Sequence, residues 1–397
     1  MAAPNEIDRL LDDDFADTLE QAREQSRVAV KRLHELMGGV RKAVIMGSAY
    51  LGRLALSGAI NAGLDVVAFA DNNRSLWRTT LDGVPIMSPA DAVSKHNNDA
   101  FFVVAIYNGT PLRAQLTDLG CRRVVPYPMF FWQFSQSMPQ EDRLELPDRI
   151  FASAEAAHQG FNLLSDHRSR AEFVAQIQWR CTLDYACLPP PERPSDMYFG
   201  SDIIGLKGDE VLVDCGAFDG DSIRMFLDKT GGSFGYIYAL EPDSKNRDAL
   251  NSYLSSLLES QAKRISVLPF GASDSNETKS FDAAGTVGSR IIPSDSGESI
   301  ECRRLDDLLD GPSPTFIKMD IEGTEPEAIK GAIGSIRESR PIVAACAYHK
   351  CEHLWTLPIL LKEALPDYRI SLRRYAEECW ETVYYAIPPE RAIPSLG

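Results

Sequence analysis

The 397-residue sequence predicts an α/β fold: two doubly wound domains joined by a helical connector. Three observations predict it. Short apolar runs recur, each ending in a turn rich in glycine or acid and leading into a helical pattern. Two of these turns have the glycine spacing that brings a sheet's backbone close to a ligand, Gly47 with Gly52 and Gly216 with Gly220. In each half an acidic residue then ends the next strand about two dozen positions on, Asp71 in the first half and Glu241 in the second.

Composition sets the outer bounds. With 44% hydrophobic and 25% charged residues the chain is an ordinary globular protein, long enough for two domains. A net charge of −16 argues against a nucleic acid or an anionic membrane as partner. Eight cysteines without a C-x-x-C pair fit buried free thiols in a reducing compartment. The acidic start lacks the apolar core of a signal peptide, and no apolar run is long enough to span a bilayer, so a cytoplasmic location is expected.

Residues 1–39 form a helical segment, with Leu10, Leu11, Phe15, Leu19, Val28, Val30, Leu33 and Leu36 at helical spacing up to Gly38 and Gly39. The first domain, 40–135, has strands at Lys42–Met46, Asp65–Ala70, Phe101–Ile106 and Arg123–Pro126. It is Rossmann-like. Gly47, Gly52 and Asp71 are its candidate contacts for a nucleotide, a nucleotide sugar or NAD, but Ala49 stands where the middle glycine of G-x-G-x-x-G would be. The alternative is a retained fold that only docks or dimerises, and a homodimer is compatible with either. With Gly83-Val84-Pro85 after its Asp-Asn turn, this domain resembles the N-terminal domains of sugar-nucleotide-modifying and acyl-transferring bacterial enzymes. The aromatic run Tyr127–Phe134 is expected to pack between the halves.

The connector or lid, 136–194, is polar to about Arg149, helical from Ile150 to Arg180, and broken by Leu188-Pro-Pro-Pro-Glu-Arg-Pro. His158, His167 and Arg168 are candidate substrate contacts there, against the simpler reading of surface residues.

In the last domain, 195–397, Val211–Val213 is an apolar run ending in Asp214, followed by the glycine turn and a helix from Ser222. Gly235–Leu240 ends in Glu241-Pro242, where an open sheet presents a carboxylate to ribose hydroxyls. Ile265–Phe270 leads to Gly271-Ala272-Ser273-Asp274, where Ala272 and Ser273 are placed to contact an adenine. Phe281–Ser299 reads as a mobile segment or hairpin. Phe316–Met319 then opens onto Asp320, Glu322 and Glu325, three carboxylates that need a cation or donors nearby. Pro341–Ala347 ends in Tyr348-His349, a helix opens at Leu354, and Tyr368–Arg374 with Glu381–Ala386 supply closing antiparallel strands.

Val213–Asp221, Glu241-Pro242, Gly271–Asp274, Ile317–Glu325 and Tyr348-His349 with Leu354-Trp355 together resemble the FkbM family of S-adenosylmethionine-dependent methyltransferases, over roughly residues 195–388. The resemblance implies a class I methyltransferase fold, S-adenosyl-L-methionine as cofactor, and O-methylation of a small-molecule or glycan acceptor such as a sugar or secondary metabolite. Cys215 and Phe218 depart from the family's usual glycine turn. On this reading Asp214, Gly216, Ala217, Asp219 and Gly220 hold the methionine part, Glu241 and Pro242 the ribose, and Ala272 and Ser273 the adenine. Asp320 borders both cofactor and acceptor, Glu322 lines the acceptor side, and His349 or a carboxylate is the general base. No metal is expected; the rival is a divalent cation on Asp320, Glu322 and Glu325. The alternative function is an NAD-dependent dehydrogenase or a nucleotide-sugar-binding protein using the first domain. Ala49 and the lack of a hydride-transfer constellation count against the dehydrogenase.

Overall fold

A computed structural model describes residues 4–139, 142–200, 202–282, 290–291 and 298–393. The chain divides into two compact units: unit 1 comprises 1–155, 172–190 and 376–380, and unit 2 comprises 156–171, 191–375 and 381–397. The segment 136–194 is thus shared between them.

In unit 1 a helix, Pro4–Met37, precedes a six-stranded sheet. Its strands are β1 (Lys42–Met46), β2 (Asp65–Ala70), β3 (Thr80–Leu81), β4 (Val84–Met87), β5 (Ala100–Val104) and β6 (Val124–Pro126), in the order β3-β4-β2-β1-β5-β6. All pairs are parallel except β3 with β4. The central β5 reads Ala-Phe-Phe-Val-Val and is buried throughout, as a strand covered on both faces requires. The β3–β4 hairpin was not anticipated. Asp82 and Gly83 both have positive φ (51° and 81°), the conformation of a tight hairpin turn, and Gly83-Val84-Pro85 falls inside it. The aromatic run folds as a helix, Tyr127–Phe134, with Phe130 against Phe101 of β5 at 6.3 Å. Phe130 thus packs on unit 1's own sheet.

Unit 2 is built on a seven-stranded sheet of β7 (Val211–Cys215), β8 (Tyr236–Leu240), β9 (Ile265–Leu268), β14 (Phe316–Met319), β15 (Ile342–Cys346), β16 (Arg369–Arg374) and β17 (Thr382–Ile387). Between β9 and β14 the chain forms a second sheet from β10 (Gly271–Ala272), β11 (Glu277–Asp282), β12 (Arg290–Ile291) and β13 (Glu298–Arg303). The expectation for Phe281–Ser299 falls partly on residues 283–289 and 292–297, which lie outside the described residues. The large sheet has the order β16-β17-β15-β14-β7-β8-β9, with only β17 antiparallel to its neighbours. The chain steps from β7 through β8 to β9, then crosses to β14 on the other side of β7. Such a reversal is where an open sheet receives a ligand, here at the carboxyl ends of β7 and β14. Because β17 runs the opposite way, its first residue lies at that same edge. Leu212, Ile223, Phe226, Ile237, Phe316 and Ile342 are among the wholly buried residues of the core that holds this edge in place. Among the described residues no helix is long and apolar enough to cross a membrane.

Candidate active site

The glycine turn after β7 is shaped by its neighbours. Gly216 has φ +81°, and a Cβ there would lie 2.0 Å from the carbonyl oxygen of Asp320. Only glycine lets the β7 and β14 ends approach so closely. Gly220, also at positive φ, starts the helix Asp221–Thr230, where a Cβ would meet the Tyr253 ring at 2.7 Å. Between them Ala217 is fully buried, Phe218 takes the left-handed conformation (φ 47°), and Asp219 pairs with Arg224 at 2.5 Å. The Phe218 amide donates to Glu241 Oε2 at 2.9 Å, which joins the turn to the end of β8. The other oxygen, Oε1, accepts from the Asp243 amide at 2.8 Å. Burial lifts the Glu241 carboxyl above its ordinary value, although these backbone donors work the other way. Pro242 follows with its carbonyl accepting from Arg247 at 2.6 Å.

Asp214 is not exposed at this edge. It is fully buried, 3.0 Å from the Lys318 ammonium, and accepts from the Ser222 hydroxyl at 2.5 Å. Lys318 in turn donates to the Gly216 carbonyl at 2.7 Å. Burial opposes the lysine's charge, but Asp214, Asp320 and Asp221 outweigh it and keep the ammonium protonated beyond its usual range. The pair clamps the glycine turn from below. Lys318 was missed at the sequence level, although a lysine inside an apolar strand, in register with Asp214, is the signal that could have found it.

Asp320, Glu322, Glu325 and His349 gather at the carboxyl ends of β14 and β15. His349 is buried, with Nδ1 2.7 Å from Glu325 Oε1 and Nε2 3.2 Å from Asp320 Oδ1 and 3.5 Å from Glu322 Oε1. Glu325 has its second oxygen 3.3 Å from His353 Nδ1 and also accepts from the Ile321 amide at 3.1 Å. Oε1 is thus bonded to His349, while Oε2 faces His353 without a hydrogen bond. Among the described residues no group of three or more His, Cys, Asp or Glu is arranged to hold a metal ion. Asp320 is half-buried and accepts from the hydroxyls of Tyr198 at 2.8 Å and Tyr348 at 3.2 Å. Burial would raise its pKa, but the His349 hydrogen bond, Lys318 and Tyr198 hold it well below the usual carboxylate range. Burial likewise opposes the charge on His349, yet Glu325, Glu322 and Asp320 together raise its pKa well above the ordinary histidine value. Glu322 sits at φ 56°, followed by Gly323 at φ 102°.

A further acid stands at the same edge. Glu381 immediately precedes β17, has φ 52°, and is half-buried. Burial first, then the charge of Asp320, with Asp221 and Glu322, push its carboxyl up to about 7, against the opposing pull of His349. The strand Glu381–Ala386 was anticipated; that its first residue lands among the catalytic candidates follows only from the antiparallel direction of β17.

Ala272 and Ser273 follow β9, where the chain opens the second sheet. Ala272 is buried in β10, which pairs with β13. Ser273 donates its amide to the Arg303 carbonyl at 2.9 Å, and its hydroxyl accepts from Lys279 at 3.1 Å.

In unit 1 the corresponding carboxylate, Asp71, is bonded by its own turn, as Glu241 is. Asp71 accepts from the Ser48 amide at 3.1 Å and hydroxyl at 2.6 Å, and from the Asn73 amide at 2.8 Å. Gly47 has φ +100°, and a Cβ on Gly52 would lie 2.1 Å from its carbonyl oxygen, so these glycines serve helix–strand packing directly. At the start of the helix Thr110–Asp118, Glu378 accepts from the Gly109 amide at 2.9 Å and pairs with Arg113 at 2.7 Å.

Residues 214–368 match the family model described as the methyltransferase FkbM domain. Among solved structures the chain is similar to methyltransferase FkbM from Methylobacillus flagellatus KT, at 25% identity and a TM-score of 0.75, over 95% of this chain and 99% of that one. Two others are a SAM-dependent methyltransferase from Aquifex aeolicus (15% identity, 46% of this chain and 85% of that one, TM-score 0.29) and a Streptococcus mutans protein solved in complex with SAH (8%, 50% and 99%, TM-score 0.30). No curated protein matches the chain. Residues 214–368 thus carry an FkbM methyltransferase domain.

Proposed function

We propose that this domain uses S-adenosyl-L-methionine to methylate a hydroxyl oxygen of a sugar or secondary-metabolite acceptor. The observation that carries the reading is Glu241: a buried carboxylate at the end of β8, 2.9 Å from a glycine-turn amide, at a topological switch point. The donor set suits the cofactor. Glu241 would take the ribose hydroxyls, and the backbone from Gly216 to Gly220 would pass along the methionine part. Asp320 and Glu322 give that edge negative charge, which suits a sulfonium. When bound, the cofactor supplies an activated methyl group on a cationic sulfur.

The chain's own task is alignment. Holding an acceptor oxygen in line with the methyl carbon contributes several kcal/mol by proximity alone. Asp320, braced by Tyr198, Tyr348 and His349, is the fixed acid that can orient an acceptor hydroxyl. Its acidic neighbours favour the protonated form of His349, which suits the ring to holding Asp320 in place.

Calorimetry with S-adenosylmethionine tests the proposal. Wild type should bind, and Glu241→Ala should bind about 10–150-fold more weakly, the loss expected on deleting a charged hydrogen-bond partner of ~1.5–3 kcal/mol. Equal affinities would reject the assignment. Co-purified NAD, or a thermal shift with NAD or a UDP-sugar and none with S-adenosylmethionine, would favour the dehydrogenase or sugar-nucleotide reading on unit 1.

A further inference from the structure

Within the methyl-transfer reading, on which this inference rests, we propose that Glu381 is the catalytic base, and that it is armed by the cofactor's positive charge.

Its placement comes from the fold. The Thr382 carbonyl accepts from the Ala347 amide at 2.8 Å, and Val383 pairs with Cys346, so Glu381 stands beside the β15 end that carries Tyr348 and His349. The Tyr375 amide holds its carbonyl at 2.9 Å. Among the described residues no hydrogen bond or ion pair engages its carboxylate, whereas Asp214, Glu241, Asp320 and Glu325 each have such partners. The groups acting on it are the acids Asp320, Glu322 and Asp221 and the cation His349. Tyr198, Tyr348 and Cys346 also face it, and burial keeps all three neutral. A half-buried, uncommitted carboxyl among like charges is the group at this edge best suited to take up a proton near neutral pH.

The reaction then balances. A lone pair of the acceptor oxygen would form the new O–CH₃ bond, the O–H pair would stay on that oxygen as its proton passes to a Glu381 carboxylate oxygen, and the pair of the broken C–S bond would return to sulfur, leaving a neutral thioether. Before that step, a sulfonium beside Glu381 favours its ionised form, so cofactor binding and loss of the proton are coupled. After transfer the positive charge is gone and the protonated acid is again the preferred form.

The coupling is measurable without knowing the acceptor. Binding of S-adenosylmethionine and of S-adenosylhomocysteine is compared by calorimetry at about pH 6 and about pH 8, in two buffers of different ionisation heat. The sulfonium lowers the pKa of its own α-amino group, so the titration of each free compound is measured and its contribution subtracted. In wild type the preference for the sulfonium should rise about tenfold between the two pH values, with proton release near pH 7. Glu381→Gln should abolish the rise, and Glu381→Asp should keep it. The proposal falls if both compounds bind and Glu381→Gln leaves the pH dependence unchanged, or if wild type shows none. Failure of wild type to bind either compound would instead remove the methyl-transfer reading, and this inference with it. Should Glu381→Gln not fold, carbon-13 titration of the wild-type carboxyl decides: ionisation near 7 that moves down with the sulfonium supports the proposal, and ionisation below about 5 overturns it.

Discussion

At the scale of single residues, the site rests on two charge arrangements that behave differently. Asp214 and Lys318 are both buried, on adjacent central strands, and each needs the other. Lys318→Met would leave a carboxylate buried without its counter-charge, a loss of about 3–5 kcal/mol. Adding Asp214→Asn should recover much of this, which a double-mutant cycle by urea denaturation would show as strong coupling. The His349–Glu325 pair governs pH dependence. The folded His349 pKa lies well above 6.5, so its stabilisation is complete below about 6.5 and is lost as pH rises through the folded value. Glu325 lies well below 4.5 through His349 and His353, against burial; its stabilisation is present above about 4.5 and is lost as pH falls. The stability gap between wild type and His349→Asn should therefore narrow as pH rises above about 6.5. A gap that stays constant into the alkaline range would contradict the pairing. Of these residues, Asp320, Glu322 and His349 could be read from the chain, because acids and a histidine after apolar strands announce a sheet edge. The Glu325–histidine bond could not, since it depends on which way the first turn of a helix points its acid.

At the scale of elements, the same contrast recurs. The strands of both sheets were legible wherever an apolar run ended in glycine or acid, as at Val211–Cys215 and Asp65–Ala70. The two-residue strands β3 and β10 were not, because they are too short to show a period of two. Ala272 is an example: its Gly-Ala-Ser turn follows β9, and that it also opens a second sheet depends on pairing with β13 some thirty residues later. Glu381 was hidden for a related reason, since strand direction is a property of the whole sheet. The glycine turn offers an element-level test. Gly216→Ala would force a methyl group to 2.0 Å from the Asp320 carbonyl, whereas Gly231, at φ +59°, has nothing within 4 Å. Gly231→Ala should cost only the left-handed conformation, ~1–2 kcal/mol. Gly216→Ala should cost clearly more, because two strand ends must separate, and it should weaken cofactor binding as well. Comparable denaturation midpoints for the two variants would show that the close approach of β7 and β14 is unimportant.

At the scale of the whole molecule, the order of segments matters more than the domain count. The chain passes back and forth between its units, and unit 1 is completed by residues 172–190 and 376–380 from well beyond its first 155 residues. Arg113 receives its carboxylate from Glu378, which arrives between β16 and β17 of the other unit's sheet. A fragment ending at residue 155 would leave that guanidinium, whose side chain is 17% exposed, without its partner. Unfolding of either unit strips chain from the other, so the two should lose structure in one transition. The tryptophans report this separately: Trp77, Trp132, Trp179 and Trp380 belong to unit 1, and Trp355 alone to unit 2. In urea, the Trp355→Phe protein follows unit 1, and its difference from wild type follows unit 2. The two midpoints should coincide. S-adenosylmethionine at a hundred times its dissociation constant should then raise both by the same ~2.7 kcal/mol, although its proposed site lies in unit 2 alone. A shift confined to the Trp355 signal would mean that the interleaved segments do not couple the units, and that the first Rossmann-like fold stands without the second.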